Sequence, residues 1–355
     1  MTRDPAGTAQ PRIDLYSDTI TRPTIAMRHT MADADVGNEQ AGEDPTVNRL
    51  CEMTADLLGK EAAVFLPSGT MCNQIAYRVW CNRGEEILLD ISSHAMHFEV
   101  GGIAALAGAM TQTINGTRGL FTAEQVAERI RAPHGHHTQR TALISVENTA
   151  NMGGGTVWPL EQLRGVAKVA RADGIPVHMD GARLLNAVVA TGITAEKYAA
   201  EADSVWIDLS KGLGCPVGAV LAGSTAFINR VWPFKHMYGG AMRQAGIIAA
   251  AGVHALEHHV ERLAEDHTNA RRLAQGLAEI EGISVNPNEI DTNIVFFDVA
   301  GLNVSATTFA ERMIAKNAIR VGPMGSTLIR AVTHLDISAY DIEETIDAAR
   351  TVMAK

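Results

Sequence analysis

Between Thr46 and Val220, short apolar runs alternate with segments of helical periodicity, and this alternation leaves few folds open. The runs are Ala62–Leu66, Glu86–Asp90, Thr141–Val146, Ile175–Met179 and Ser204–Leu209. Around them, Thr46–Leu58, Thr70–Trp80, Ala123–Arg131 and Leu160–Ala172 carry helical patterns. A strand with one wet face alternates apolar with polar residues. Several of these runs are apolar almost throughout, as expected of strands covered on both faces. Strand and helix in regular alternation imply a doubly wound, mostly parallel α/β sheet.

Beyond that region a helical tract extends from about Ala241 through Leu277. Strand-like Thr292–Val299, helical Ala306–Lys316, strand-like Ser326–Val332 and a final helix near Tyr340–Met353 follow. The expected organisation is a loose arm over residues 1–13, a large domain over 14–255 and a smaller α+β domain over 256–355.

Composition narrows the function classes. An apolar fraction of 46% with 20% charged residues belongs to a folded chain rather than a disordered one. With 40 acidic against 30 basic residues the formal charge is −10, and no Lys/Arg run is visible. That balance argues against a binder of nucleic-acid phosphates. The most apolar stretch, Ile247–Leu256, is interrupted by His254 and falls well short of the ~18 apolar residues of a membrane span. The first dozen residues lack an apolar signal core. Cys51, Cys72, Cys81 and Cys215 form no CxxC pair, so a reduced, cytoplasmic location is expected.

Three segments carry chemistry. In DSVWIDLSKGLGCPVGAVLAG, Lys211 follows an apolar strand and precedes a Gly-rich turn, at the carboxyl edge of the sheet. A lysine whose charge is disfavoured there can attack a carbonyl and form a Schiff base. In GIPVHMDGARLLNA, Asp180 ends a strand, and Arg183 follows. A buried carboxylate needs a cation, which is either Arg183 or a protonated pyridine nitrogen. In AAVFLPSGTMCNQIAYRVW, a strand runs into Ser68-Gly69-Thr70 and a helix begins, offering free N–H groups to a phosphate. An ordinary N-cap has the same appearance. The three in this order are far more specific than any one alone.

With these segments, and with DLYSDTITRPT, GEDPTVNRL, SHAMHFEVGG, GGAMRQAG and IRAVTHLDIS, the sequence resembles the threonine aldolase family from about Asp14 to its C-terminus. The resemblance implies the aspartate-aminotransferase-like fold and pyridoxal 5'-phosphate as cofactor. It implies cleavage of L-β-hydroxy-α-amino acids (L-threonine, L-allo-threonine or L-phenylserine) to glycine and an aldehyde. Lys211 would hold the cofactor as a Schiff base, Asp180 would pair with its ring nitrogen, and His94 would stack over its face. Gly69 and Thr70 would bind phosphate, with Arg243 reaching it from a neighbouring subunit of a dimer or tetramer. Ser17, Arg183 and Arg330 would orient the substrate carboxylate, Arg183 also bordering the cofactor. His137 falls where the family places a second histidine near the substrate hydroxyl, and either it or His94 would act as base, an effect typically worth ~10²–10⁴-fold.

The chain departs from the family pattern at Ala41, where an aromatic is usual before GEDPT, and at Ala150 in ENTANMGGG, where a histidine is usual. The lost bulk suggests bulkier β-substituents, as in phenylserine. The closely spaced groups His94/His97, His134/His136/His137 and His254/His258 come without HExxH or a carboxylate pattern, so no metal is expected. A nicotinamide oxidoreductase is disfavoured because GxGxxG is missing after the first strand. A member that has lost catalysis is disfavoured by the intact Lys211, Asp180, Arg183 and Arg330. Another pyridoxal-phosphate lyase of this fold, acting on a different β-substituted amino acid, is the alternative.

Overall fold

The computed structural model describes residues 11–131 and 136–352. The chain divides into two units: one is Thr21–Leu263, and the other runs from Ala264 onward and takes in the chain up to Ile20. The expected division at 255/256, after an arm over 1–13, differs from this. Residues 1–10 of that arm lie outside the described residues, but Ile13 and Asp14 form a strand, β1, that pairs in parallel with Ile319–Arg320.

The large unit is built on the strands β2 (Ala62–Leu66), β3 (Glu86–Asp90), β4 (Met110–Ile114), β5 (Thr141–Glu147), β6 (Val177–Gly181), β7 (Ser204–Asp208) and β8 (Ala219–Gly223). They form one sheet in the order β2-β8-β7-β6-β5-β3-β4. The run from β7 to β4 is parallel, and β8 is antiparallel to both of its neighbours. The sheet is thus mostly parallel, as expected. Successive residues explain the covering on both faces. Phe65 and Leu88 enter one core, with Val146 and Met179, while their neighbours Val64, Leu66, Ile87 and Leu89 face the other side.

The helices of this unit are α1 (Ile25–Ala32), α2 (Pro45–Leu58), α3 (Gly69–Trp80), α4 (His94–His97), α5 (Ala123–Ala127), α6 (Leu160–Ala172), α7 (Leu184–Thr191), α8 (Ala195–Ala199), α9 (Thr225–Met237) and α10 (Gly246–His258). Local signals set their ends. Asp44 caps α2 by accepting from the Val47 N–H, Pro45 follows it, and Gly59 closes the helix at φ +59°. The single helical tract expected over 241–277 is two helices, because the chain breaks after His258 and α11 (Leu263–Ala278) begins anew.

In the small unit, β9 (Ile294–Asp298), β10 (Ile319–Arg320), β11 (Gly322–Pro323) and β12 (Leu328–Val332) accompany α11, α12 (Ala306–Asn317) and α13 (Ala339–Thr351). β12 is the central strand of an antiparallel β11-β12-β9 sheet. Its core joins Ile13 and Leu15 to Phe297, Phe309, Ile329 and Ile346. No helix among the described residues is long and apolar enough to cross a membrane.

Candidate active site

The carboxyl ends of β3, β5, β6 and β7 share one edge of the sheet. The chain passes from β3 to β4 on one side and then to β5 on the other, so the order reverses at β3, the place where open α/β sheets build their sites.

Lys211 stands three residues beyond β7. Asp208 folds the turn by accepting from Ser210 N at 2.8 Å and Ser210 Oγ at 2.9 Å, and its other oxygen lies 3.0 Å from Lys211 Nζ. The ammonium is 5.7 Å from the centre of the Trp206 ring, and the side chain is only 14% exposed. The Lys211 carbonyl is held from two sides, by Thr21 Oγ1 at 2.8 Å and Gly214 N at 2.9 Å.

Asp180 is buried near the end of β6. It accepts from Asn73 Nδ2 at 2.8 Å and from the Ala182 N–H at 3.1 Å. Burial raises its carboxyl above the ordinary value. The charges of His94 and Lys211 and the Asn73 hydrogen bond oppose that rise, and the Glu99 charge adds to it. Arg183, two residues past the strand, is buried at the N-cap of α7.

His94 opens α4. Its Nδ1 lies 2.9 Å from Glu99 Oε1, and its backbone N–H donates to Glu147 Oε2 at 2.6 Å. Burial favours the neutral ring, but the Glu99 hydrogen bond and the charges of Asp180 and Glu99 outweigh it, and the His94 pKa is raised. Glu147 sits opposite Asp180 in the β5–β6 register, and its second oxygen accepts from Asn151 N at 2.7 Å. His94, Glu99 and Asp180 together approach the spacing of a metal site. The Asn73 amide nitrogen lies between the two carboxylates, 2.7 Å from Glu99 and 2.8 Å from Asp180.

At the start of α3, Ser68 caps the helix by accepting from Met71 N at 3.2 Å. Gly69 is needed for packing: a Cβ there would fall 2.2 Å from the Trp206 ring. The N–H groups of Gly69 and Thr70 begin the helix, where backbone donors have no intrahelical partner, and Thr70 is exposed.

In the small unit, Ser17 is buried and accepts from Thr19 N and Oγ1, while Arg330, on β12, donates to the Tyr16 carbonyl at 3.3 Å. Arg243 is exposed ahead of α10, its carbonyl accepting from Glu39 N at 2.9 Å. His137 does not join Lys211 and Asp180 within this chain. It lies in an exposed turn before β5, at the amino edge of the sheet, about a strand length (~20 Å) from the carboxyl edge. His134 falls outside the described residues. Ala150 is buried, and a Cβ on Gly119 would come 2.7 Å from its methyl, so the small residue opens no pocket there.

Asn73, Glu99, Glu147, His178 and Asp208 were not singled out from the sequence. The one usable signal was His178, two residues before Asp180 on a strand and therefore on the same face. The donor set suits pyridoxal phosphate: a fixed primary amine, a buried carboxylate whose raised pKa a protonated pyridine would relieve, an imidazole and a capped helix start share one edge.

Residues 14–300 match the beta-eliminating lyase family. The low specificity L-threonine aldolase of Escherichia coli (strain K12) is 42% identical over 344 residues, covering 97% of this chain and 100% of that protein. Low-specificity L-threonine aldolase 1 of Arabidopsis thaliana is 39% identical, covering 96% of each chain. The threonine aldolase structure from Leishmania major shares the fold, with a TM-score of 0.82 at 19% identity over 96% of this chain and 100% of that one.

Proposed function

Because the chain belongs to the beta-eliminating lyase family, with low-specificity L-threonine aldolases at 39% and 42% identity, we propose that it cleaves L-β-hydroxy-α-amino acids to glycine and an aldehyde with pyridoxal phosphate as cofactor. The observation that carries this reading is the Lys211 amine at the same sheet edge as the buried Asp180 carboxylate. L-Threonine and L-allo-threonine are the first candidate substrates.

When bound, the cofactor supplies an electron-poor ring that stabilises negative charge at the amino acid's Cα. Lys211 would provide the amine that holds the cofactor through its aldehyde. Asp180 would hold an anion against the ring nitrogen. Gly69 and Thr70 would meet the phosphate through backbone N–H groups, and Thr70 would add its hydroxyl. Ser17, Arg183 and Arg330 take the substrate carboxylate, where a guanidinium offers a two-point fork. His94 would lie against the ring face. With Nδ1 engaged by Glu99, its Nε2 is the basic nitrogen left to take the β-hydroxyl proton.

The finer reading is a homotetramer or dimer in the cytoplasm, with Arg243 acting on a neighbouring subunit's phosphate and His137 near its substrate. The exposure of both side chains and the free thiols of Cys51, Cys72, Cys81 and Cys215 support it. Activity on L-phenylserine rests on Ala41 alone, since position 150 is filled.

The test is a substrate panel on the purified protein with added pyridoxal phosphate. Wild type is expected to turn yellow and release glycine from L-threonine, and Lys211→Ala is expected to lose both. Glycine release by Lys211→Ala at the wild-type rate would overturn the reading, as would a wild type that takes up no cofactor.

A further inference from the structure

Behind Asp180 lies a chain of polar groups whose hydrogens can be placed one by one. Asn73, on α3, is fully buried. Its oxygen faces Trp206 Nε1 at 2.7 Å, and an indole nitrogen only donates, so that atom is Oδ1. Its nitrogen faces Glu99 at 2.7 Å and Asp180 at 2.8 Å, which only accept when ionised. The amide orientation is therefore fixed by chemistry.

His178 Nε2 lies 3.1 Å from the same Oδ1, so it must carry a hydrogen. His178 Nδ1 lies 2.8 Å from Ser204 Oγ, which also accepts from Trp80 Nε1 at 2.8 Å. With the indole hydrogen directed at Ser204, the serine's own hydrogen is free to point at Nδ1. Every donor then has an acceptor: Trp80 to Ser204, Ser204 to His178, His178 to Asn73, Asn73 to Asp180 and Glu99. The ring is fully buried, and burial pushes its pKa down to about 3 against a hydrogen bond to the Ser204 backbone, so it stays neutral near pH 7.

We propose that His178 is a positioning residue: as a neutral Nε2–H ring it locks the Asn73 amide so that Nδ2 donates to Asp180, holding that carboxylate as an anion. The proposal deepens the reading of Asp180 as the partner of a cofactor's ring nitrogen and rests on it for its catalytic meaning. A cationic histidine in the same place would leave the Ser204 hydroxyl hydrogen without His178 as its acceptor. An apolar residue there would remove one of two donors to Asn73 Oδ1 and leave the amide less firmly oriented. Asp180 would then be protonated more readily, because its burial already favours the neutral acid.

Two measurements on the full chain test this. Nitrogen-15 histidine spectra of the cofactor-free protein are expected to show His178 as the neutral Nε2–H tautomer throughout the range from about pH 6 to about pH 8. An Nδ1–H tautomer or a cation in that range overturns the proposal whether or not any variant folds. In the cofactor-loaded protein, His178→Ala is expected to raise the pH midpoint of the cofactor's visible absorbance by about one unit, because a less anionic Asp180 leaves less positive charge on the ring. His178→Gln, whose amide can donate to Asn73, is expected to restore the midpoint. A folded His178→Ala with an unchanged midpoint overturns the proposal. A wild type that binds no pyridoxal phosphate instead overturns the reading of the site, and leaves the tautomer result to decide whether His178 orients Asn73.

Discussion

Glu147 shows how one buried side chain can tie two loops together. Its oxygens accept from His94 N and Asn151 N, so it fixes both the start of α4 and the loop after β5. Burial first, and the Asp180 charge second, raise its carboxyl from 4.5 to about 7 against those hydrogen bonds. Between about pH 4.5 and about pH 7 the folded protein therefore keeps a proton that the unfolded chain has lost, and stability falls as pH rises through that window. Glu147→Gln removes the titration. Its Tm is expected to decline less between about pH 5 and about pH 7 than that of wild type, as measured by scanning calorimetry. Parallel declines would rule out Glu147 as the source. Lys211 and Asp180 were legible in the sequence because each follows or ends a strand, and strand ends in open sheets converge. Asn73 and Glu99 were not legible. The role of Asn73 depends on which face of α3 meets β6 and β7, and sequence periodicity gives a face without its partner; Glu99 lies in the bend after α4, where there is no periodicity to read.

The start of α3 is the element most tightly constrained by its neighbour. Adding one methyl in Gly69→Ala drives it into the Trp206 ring, and overpacking of this kind costs about 1–3 kcal/mol. Urea denaturation should register that loss together with weaker pyridoxal phosphate binding, and unchanged values for both would refute the packing account. A second such place joins α9 to the turn over Glu39–Ala41, where Lys235 and Glu39 form an ion pair that is almost completely buried. Glu39 also accepts from Met242 N at 2.8 Å, next to Arg243. Lys235→Met strands a buried carboxylate, so a loss of about 3–5 kcal/mol is expected, with partial recovery in Lys235→Met/Glu39→Leu. A double variant no better than the single one would contradict this. Among the elements, the strands with unbroken apolar runs were readable. β4 (MTQTI) was not, because an edge strand with exposed residues carries no such run. The break between α10 and α11 was also hidden, since it contains no Gly or Pro. It is marked instead by His259, whose Nδ1 lies 2.7 Å from the Leu213 carbonyl.

For the chain as a whole, the mostly parallel sheet and the smaller α+β part were legible, but the assignment of the N-terminal segment was not. A two-residue strand has no periodicity to detect, and β1 finds β10 some three hundred residues away. Ile13 and Leu15 are buried in the small unit, and side chains of this kind contribute about 1.5–3 kcal/mol each. Deleting the chain through Leu15 should therefore lower the melting of the small unit in calorimetry, and an unchanged trace would show the segment to be dispensable.

The reversal of β8 has a mechanical consequence. Strands β7 and β8 are laced together side by side, and the ten-residue span between them returns at once into the ladder, with Leu209 N bonded to the Gly218 carbonyl at 3.0 Å. The segment bearing Lys211 is thus anchored at both roots, like a bridge with two abutments. Whatever travel the amine needs while one partner leaves and another arrives comes from swivelling four methylenes, and the main chain beneath can stay still.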